Sequence, residues 1–364
     1  MASQQITTVE QLHTYLYAAM QLEHATLPPY LTALYSIHPG SNPHARRVIR
    51  TVAVEEMLHL TLVANIMSAV GGTPDLTAPD FVPRYPACLP DGETDFKVSR
   101  QAFSRKTVET FLEIERPSKA PNEEARLVSR DRDRGEHLAA SYVSAALSAA
   151  LQGMRFWSIG EFYEEIRRGL DRLHGQLGDA LFCGDPARQV GPEYYYSGGG
   201  ELTAVTDLDT AFAAIRLISE QGEGLRGGIY DSEHELSHVH RFEQLALERY
   251  YQKGDQPGSP TGPPLRVEWD AVYPMKTDVS IDDFPEGSEL HTAAIDFNRR
   301  YAEYLALLTK AYNGAPQLLV DAVAEMFHLR DGMQQLMRNP IPGLEGVNGG
   351  PTFEVARVLE KVAS

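Results

Sequence analysis

Residues 52–72 read VAVEEMLHLTLVANIMSAVGG. Val52, Glu56, His59, Val63, Ile66 and Val70 recur at spacings of three and four, with Val48 one turn earlier. That is one face of a helix, and its apolar members mark it as the face turned to a core. Glu56 and His59 interrupt the stripe and so point inward, while Glu55 points elsewhere. A buried, unpaired carboxylate costs several kcal/mol, so these groups need a partner, and a cation is the partner they can share. Gly71-Gly72 closes the helix as a C-cap.

Working outward, the segment before it carries a second stripe: Leu12, Leu16, Ala19, Glu23, Leu27, Tyr30 and Leu34. Thr7 or Thr8, followed by Glu10 and Gln11, is a helix start. A helix is predicted over about 7–37, HPGSNP at 38–43 breaks it, and the second runs over about 43–70. Helices joined by so short a loop pack antiparallel. Glu23 lies 17 residues before position 40 and Glu56 lies 16 after it. Both then sit about 25 Å from the turn, at equal height. Glu56-Met57-Leu58-His59 is Glu-x-x-His, whose i,i+3 spacing puts both side chains on one face. One Glu plus a neighbouring Glu-x-x-His is half of a carboxylate-bridged two-iron site in a helical bundle. Pro28-Pro29, one turn after Glu23, predicts either a bend or a helix boundary.

A second Glu-x-x-His, Glu235-Leu236-Ser237-His238, continues into Phe242 and Leu245, which predicts both ligands inward on a helix over about 232–252. The remaining carboxylate is open among Glu161, Glu220 and Glu223. A third copy, Glu325-Met326-Phe327-His328, has no matched Glu on the preceding helix and reads as helix surface. His24, His234 and His240 beside the proposed ligands read as structural or solvent-facing. Asn65, Trp157, Tyr163 and Tyr194 to Tyr196 read as packing, with pocket lining the alternative.

Gly and Pro gather in 71–95, 117–122, 184–200, 222–228, 254–287 and 339–351. Between them further helices are predicted over about 107–115, 136–178, 207–222, 290–312 and 315–337, with DFKVSRQAF a short strand. The fold class is mostly α, a four-helix bundle with long loop insertions and extra C-terminal helices. Residues 1–253 form the metal-binding bundle with a loop insertion at 72–137, and 254–364 form an irregular segment and a helical hairpin packed on it.

Lys and Arg number 33 against 50 Asp and Glu, a net charge of −17. That balance argues against a nucleic-acid backbone or an anionic membrane as partner. Cys88 and Cys183 are too few for a disulfide framework or a thiolate zinc site. The opening MASQQITTVEQLHTYLY lacks the pattern of a signal peptide, and no apolar run reaches about 18 residues, so a cytoplasmic location is expected. Mixed carboxylate and imidazole ligands suit iron or manganese better than thiolate-seeking metals.

LEHATLPPYLTALYSI, VAVEEMLHLTLVANIMSAVGGTP, FVPRYPACLP, FLEIERP, SIGEFYEEI, EQGEG, ELSHVHRF, FNRRYAEYLALLTKAYNG and NGGPTFE together resemble the ferritin-like family related to the iminophenyl-pyruvate dimer synthases of bisindole pathways. The resemblance spans most of residues 7–355. It implies a ferritin-like bundle, a two-iron centre and oxidative chemistry on a small molecule. Its matching positions imply Glu23, Glu56, His59, Glu161, Glu223, Glu235 and His238 as metal ligands; Glu161 and Glu223 enter only by lying inside shared motifs. The function expected is a non-haem iron oxidase or oxygenase acting on an amino-acid-derived metabolite with dioxygen, with oxidative imine coupling as one form. The rivals are a ferroxidase or iron-handling protein and a non-catalytic helical binding protein.

Overall fold

The computed structural model describes residues 5–89, 96–117, 158–195 and 199–358. The part of the predicted 136–178 helix that precedes residue 158, with Trp157, and Tyr196 lie outside them. Two long helices form the centre, α1 (Val9–Ser36) and α2 (Pro43–Ala69). Thr8 starts α1 with a capping box: its side chain accepts the Gln11 N–H and the Gln11 side chain reaches back. Asn42, at φ 45°, ends the intervening loop, and Pro43 opens α2 where its missing N–H is not needed. The Asn42 amide also brackets the backbone of Glu268, donating to its carbonyl and accepting from its N–H, both at 2.8 Å. This ties the irregular segment after position 250 to the end of the hairpin.

Pro28 and Pro29 do not end α1, which runs unbroken past them. Pro29 has no N–H for the carbonyl of Ala25, and the Tyr85 hydroxyl donates to that carbonyl instead, at 2.6 Å. A helix can carry such prolines when another donor takes the freed acceptor.

Three shorter helices and one of 19 residues complete the bundle: α3 (Arg105–Ile114), α4 (Ile159–Leu177), α5 (Leu208–Glu223) and α6 (His238–Ala246). α4 packs on α1 and α5, α5 also packs on α2, and α3 and α6 lie together with α6 against α2. Leu12, Leu16, Val52, Val63, Ile66, Phe111, Phe162, Ile166, Phe242 and Leu245 fill the space between them. α7 (Glu289–Ala311) and α8 (Leu318–Arg338) pair as a hairpin, and α8 contacts α1. His24 faces this side: its Nε2 meets the Tyr301 hydroxyl at 2.7 Å and its ring lies 4.9 Å from that of Phe81. α2 is long and apolar enough to cross a membrane, although 89% of its most apolar stretch is buried inside the fold.

Two local expectations change. DFKVSRQAF is no strand among its described residues; it makes one isolated bridge, Ala87 with Val98. The helix expected over 232–252 is only nine residues long. Asp231 is the cause, because its Oδ1 accepts the N–H groups of Glu233 and Glu235 at 2.9 and 2.8 Å and folds the chain into a turn before α6.

Arg100 locks the C-terminal segment to the rest. It is buried, and its guanidinium donates to the carbonyls of Pro351, Thr352 and Val279, with Asp278 at 3.9 Å. Arg100→Met removes every one of those side-chain donors and leaves three carbonyls without them, while Asp278 loses its counter-charge and keeps only the backbone N–H of residue 100, at 2.7 Å. Chemical denaturation is expected to show a loss of about 3–5 kcal/mol; a loss below about 1 kcal/mol would mean that the segment is held by its apolar contacts alone.

Candidate metal centre

The equal heights of Glu23 on α1 and Glu56 on α2 bring them to one place in the interior, with His59 one turn along. Glu23 Oε2 lies 3.3 Å from His59 Nδ1, which is 4.0 Å from Glu56 Oε1. On the other side of Glu56 stands His238, the first residue of α6, with its Nδ1 3.0 Å from Glu56 Oε1 and 3.4 Å from Glu115 Oε2. Glu23, Glu56 and His59 thus form one group, and Glu56, Glu115 and His238 a second. In each, the ligand atoms lie within 4.8 Å of one another and every residue is buried. Glu56 belongs to both.

Each imidazole is held from behind, which fixes its tautomer. His238 Nε2 is 2.9 Å from Glu55 Oε2. Burial would raise the Glu55 carboxyl, but the bond and charge of His238 with the nearby Arg241 bring it below its ordinary value, so Glu55 accepts and Nε2 carries the hydrogen. His59 Nε2 is 2.8 Å from Gln221 Oε1, and the Gln221 NH₂ donates to the carbonyl of Gly199. That orients the amide so that its oxygen faces His59, whose Nε2 again carries the hydrogen. Both Nδ1 lone pairs are therefore aimed at carboxylate oxygens. The buried Nδ1 of His238 makes no hydrogen bond. Acceptors facing acceptors in a buried space need a cation between them, and this donor set fits a pair of divalent ions.

The charges agree. Burial, then Glu115 and Glu23, push the Glu56 carboxyl up to about 8. Burial works against protonation of His238, yet Glu115, Glu55 and Glu56 raise it well above the ordinary imidazole value. His59 is raised by Glu23 and Glu56 against the same burial. Burial would also raise Glu23, but His59 and the Tyr163 hydroxyl bring it below its usual range. Without a metal, protons play the cation's part.

Neutral donors hold the outer oxygens. The Tyr163 hydroxyl donates to Glu23, the Tyr30 hydroxyl to Glu115, and Thr26 Oγ1 to Glu56 Oε2 at 3.1 Å. A small cavity of about 20 Å³ adjoins these groups, with Ile114, Ile159, Ile218, Arg116, Ser219 and Glu223 in its wall.

Not every residue singled out in the sequence arrives here. Glu235 lies outside, its side chain 70% exposed and 3.7 Å from Arg241, because the Asp231 turn takes it off the helix that carries His238. Glu161 sits in the first turn of α4 outside both groups; two residues away from Tyr163, it lies on nearly the opposite side of the helix. Glu223 borders the cavity, and its Oε1 holds the start of α4, accepting from Ser158 Oγ at 3.2 Å and the Gly160 N–H at 3.1 Å. Glu220 lines no part of the cavity. Asn65 is structural, bracketing the backbone of Val190.

Glu115 was not among the sequence candidates, although a signal existed. Val108, Phe111 and Glu115 follow the same three-and-four spacing that exposed Glu56. Glu55 does point away from the centre, but into the protein rather than to water, with 4% exposure.

Residues 16–247 match the Ferritin-like family model, and the chain belongs to the ferritin-like family. It is similar to dichlorochromopyrrolate synthase of Lentzea aerocolonigenes, with 26% identity over 332 residues. That match covers 84% of this chain but only 29% of the relative's length. In fold it is similar to the crystal structure of a ferritin-like protein from Caulobacter vibrioides, with a TM-score of 0.61 and 23% identity over 92% of this chain and 97% of that one.

The shared carboxylate makes a sharp prediction. Glu56→Ala is expected to abolish binding of both ions, whereas Glu235→Ala keeps both. Elemental analysis after anaerobic reconstitution checks it; two equivalents retained by Glu56→Ala would contradict a bridging role.

Proposed function

We propose that this chain is a non-haem oxidase or oxygenase whose two divalent ions, iron in the first instance and manganese as the alternative, are held by Glu23, Glu56, His59, Glu115 and His238. The supporting observation is Glu56, buried and common to two carboxylate–imidazole groups. This set replaces Glu161, Glu223 and Glu235 of the sequence reading with Glu115. When bound, the ions supply redox chemistry with dioxygen.

The chain's own residues set the conditions for that chemistry. Tyr163 and Tyr30 hold the outer carboxylates by donated hydrogen bonds, and the imidazoles are kept in one tautomer by Glu55 and Gln221. Ile114, Ile159 and Ile218 exclude bulk water. A cavity of about 20 Å³ admits a water-sized guest and no metabolite. The substrate therefore docks from the wall side, where Arg116 suits the carboxylate of a small amino-acid-derived molecule. The relative that forms dichlorochromopyrrolate supports this substrate class and oxidative coupling as the reaction type.

A storage role is less favoured, because the α7–α8 hairpin lies against α1 and occupies a face that a shell of bundles would share. The oxidase reading is tested by dioxygen uptake. Anaerobically iron-loaded protein is expected to consume dioxygen faster with an amino-acid-derived imine present, and mass spectrometry should find an oxidised product. A protein that binds no stoichiometric iron overturns the reading, and a large multi-subunit cage on a sizing column favours iron handling.

Metal uptake must also displace protons. At pH 7 the metal-free centre holds them on Glu56, whose carboxyl is pushed up to about 8, and on His238, which is raised well above the ordinary imidazole value, with His59 shifted in the same direction. The metal-free form binds more protons than the loaded form, so affinity rises with pH through about 8 and falls in acid. Calorimetry in buffers of different ionisation enthalpy is expected to record net proton release at pH 7; uptake or no exchange would contradict the ligand set.

A further inference from the structure

The outer oxygens of the two groups are matched: a buried tyrosine hydroxyl donates to Glu23 in one and to Glu115 in the other. The imidazoles are not matched. Behind His59 stands a neutral amide oxygen, Gln221 Oε1 at 2.8 Å, and behind His238 stands a carboxylate, Glu55 Oε2 at 2.9 Å. An imidazole that donates its distal N–H to a carboxylate is a stronger electron donor through its other nitrogen than one that donates to an amide. Glu55 is fixed for this purpose. Arg241 NH1 holds its other oxygen at 3.3 Å, and Arg241 Nε is anchored on the carbonyl of Leu236. Gln221 is equally fixed by Gly199, so the difference between the two halves is built in rather than exchangeable.

We propose that Glu55 and Gln221 make the two metal positions unequal, so that the position formed by Glu56, Glu115 and His238 fills first and the one formed by Glu23, Glu56 and His59 fills second. Glu55 and Gln221 act through the imidazoles and are positioning residues. The proposal rests on the metal-centre reading above and adds an order of loading to it.

Manganese(II) added without oxygen to the full chain, followed by electron paramagnetic resonance, tests it. Two separate steps are expected, the first 10–100-fold tighter, the usual size of an outer-partner effect on metal affinity. The first equivalent should give the spectrum of an isolated ion and the second that of a coupled pair. Glu55→Gln is expected to weaken the first step 10–100-fold and spare the second, and Gln221→Leu to weaken the second only. Circular dichroism checks that both fold. His238→Ala should lose the tight step and His59→Ala the weak one, which decides the order even where Glu55→Gln does not fold. Two equal steps in the native chain, or both outer-partner variants acting on the same step, overturn the proposal while leaving the metal centre standing. Native protein that binds no manganese overturns both.

Discussion

Three carboxylates, Glu23, Glu56 and Glu115, are held together in an interior that water does not reach. Their mutual repulsion is the constraint to which the rest of the structure answers. Every hydrogen-bond donor that meets the outer oxygens is neutral, from Tyr30, Tyr163 and Thr26, and both imidazoles turn Nδ1 to the centre. Arg241 stops one layer out, at Glu55, and Arg116 in the cavity wall is paired with Glu113 at 3.6 Å. A cluster built for its own stability would place a fixed cation among the acids. This one keeps the cation's place free for a proton or a metal ion, and that is why it reads as a binding centre rather than a buried ion pair.

Delivery of these groups falls to different elements. α1 and α2 are long, apolar and paired, and they contribute Glu23, Glu56 and His59 from mid-helix, where the backbone is stiff. Glu115 and His238 come from helix ends, the C-cap just past α3 and the first position of α6, and these two helices pack on one another. The second half of the centre thus depends on how two short helices are seated, and the edge-on and tilted ring cluster of Tyr30, Phe111 and Phe242 seats them.

The α1–α2 half was legible in the sequence because it obeys one rule throughout: a polar residue on an otherwise apolar three-and-four stripe has to be accommodated inside. Applied to 108–115, the same rule finds Glu115, but a short helix offers only two apolar positions before it and little contrast. Glu235 misled for the opposite reason. Glu-x-x-His has a helical meaning only where the chain is helical, and the Asp231 turn is a side-chain-to-backbone feature that periodicity does not register. Glu55 was invisible in kind, since it breaks no stripe, and Gln221, although it ends the buried face of Ala211, Ala214, Ile215 and Ile218, is a neutral amide that carries no charge to flag it. Their importance comes from which ring nitrogen they meet. Pro28-Pro29 read as either a bend or a boundary, and only a hydroxyl 56 positions away in the chain, that of Tyr85, explains why the helix runs on past it.

That last contact has a consequence for the whole assembly. Two successive residues without amide hydrogens leave a soft spot in the rod that carries Glu23, and the repair is made from a loop. The Ala25 carbonyl, on the turn just after Glu23, therefore takes its hydrogen from the loop that holds Tyr85 rather than from the helix's own ladder. The rod that carries Glu23 is thereby completed by a residue from outside it.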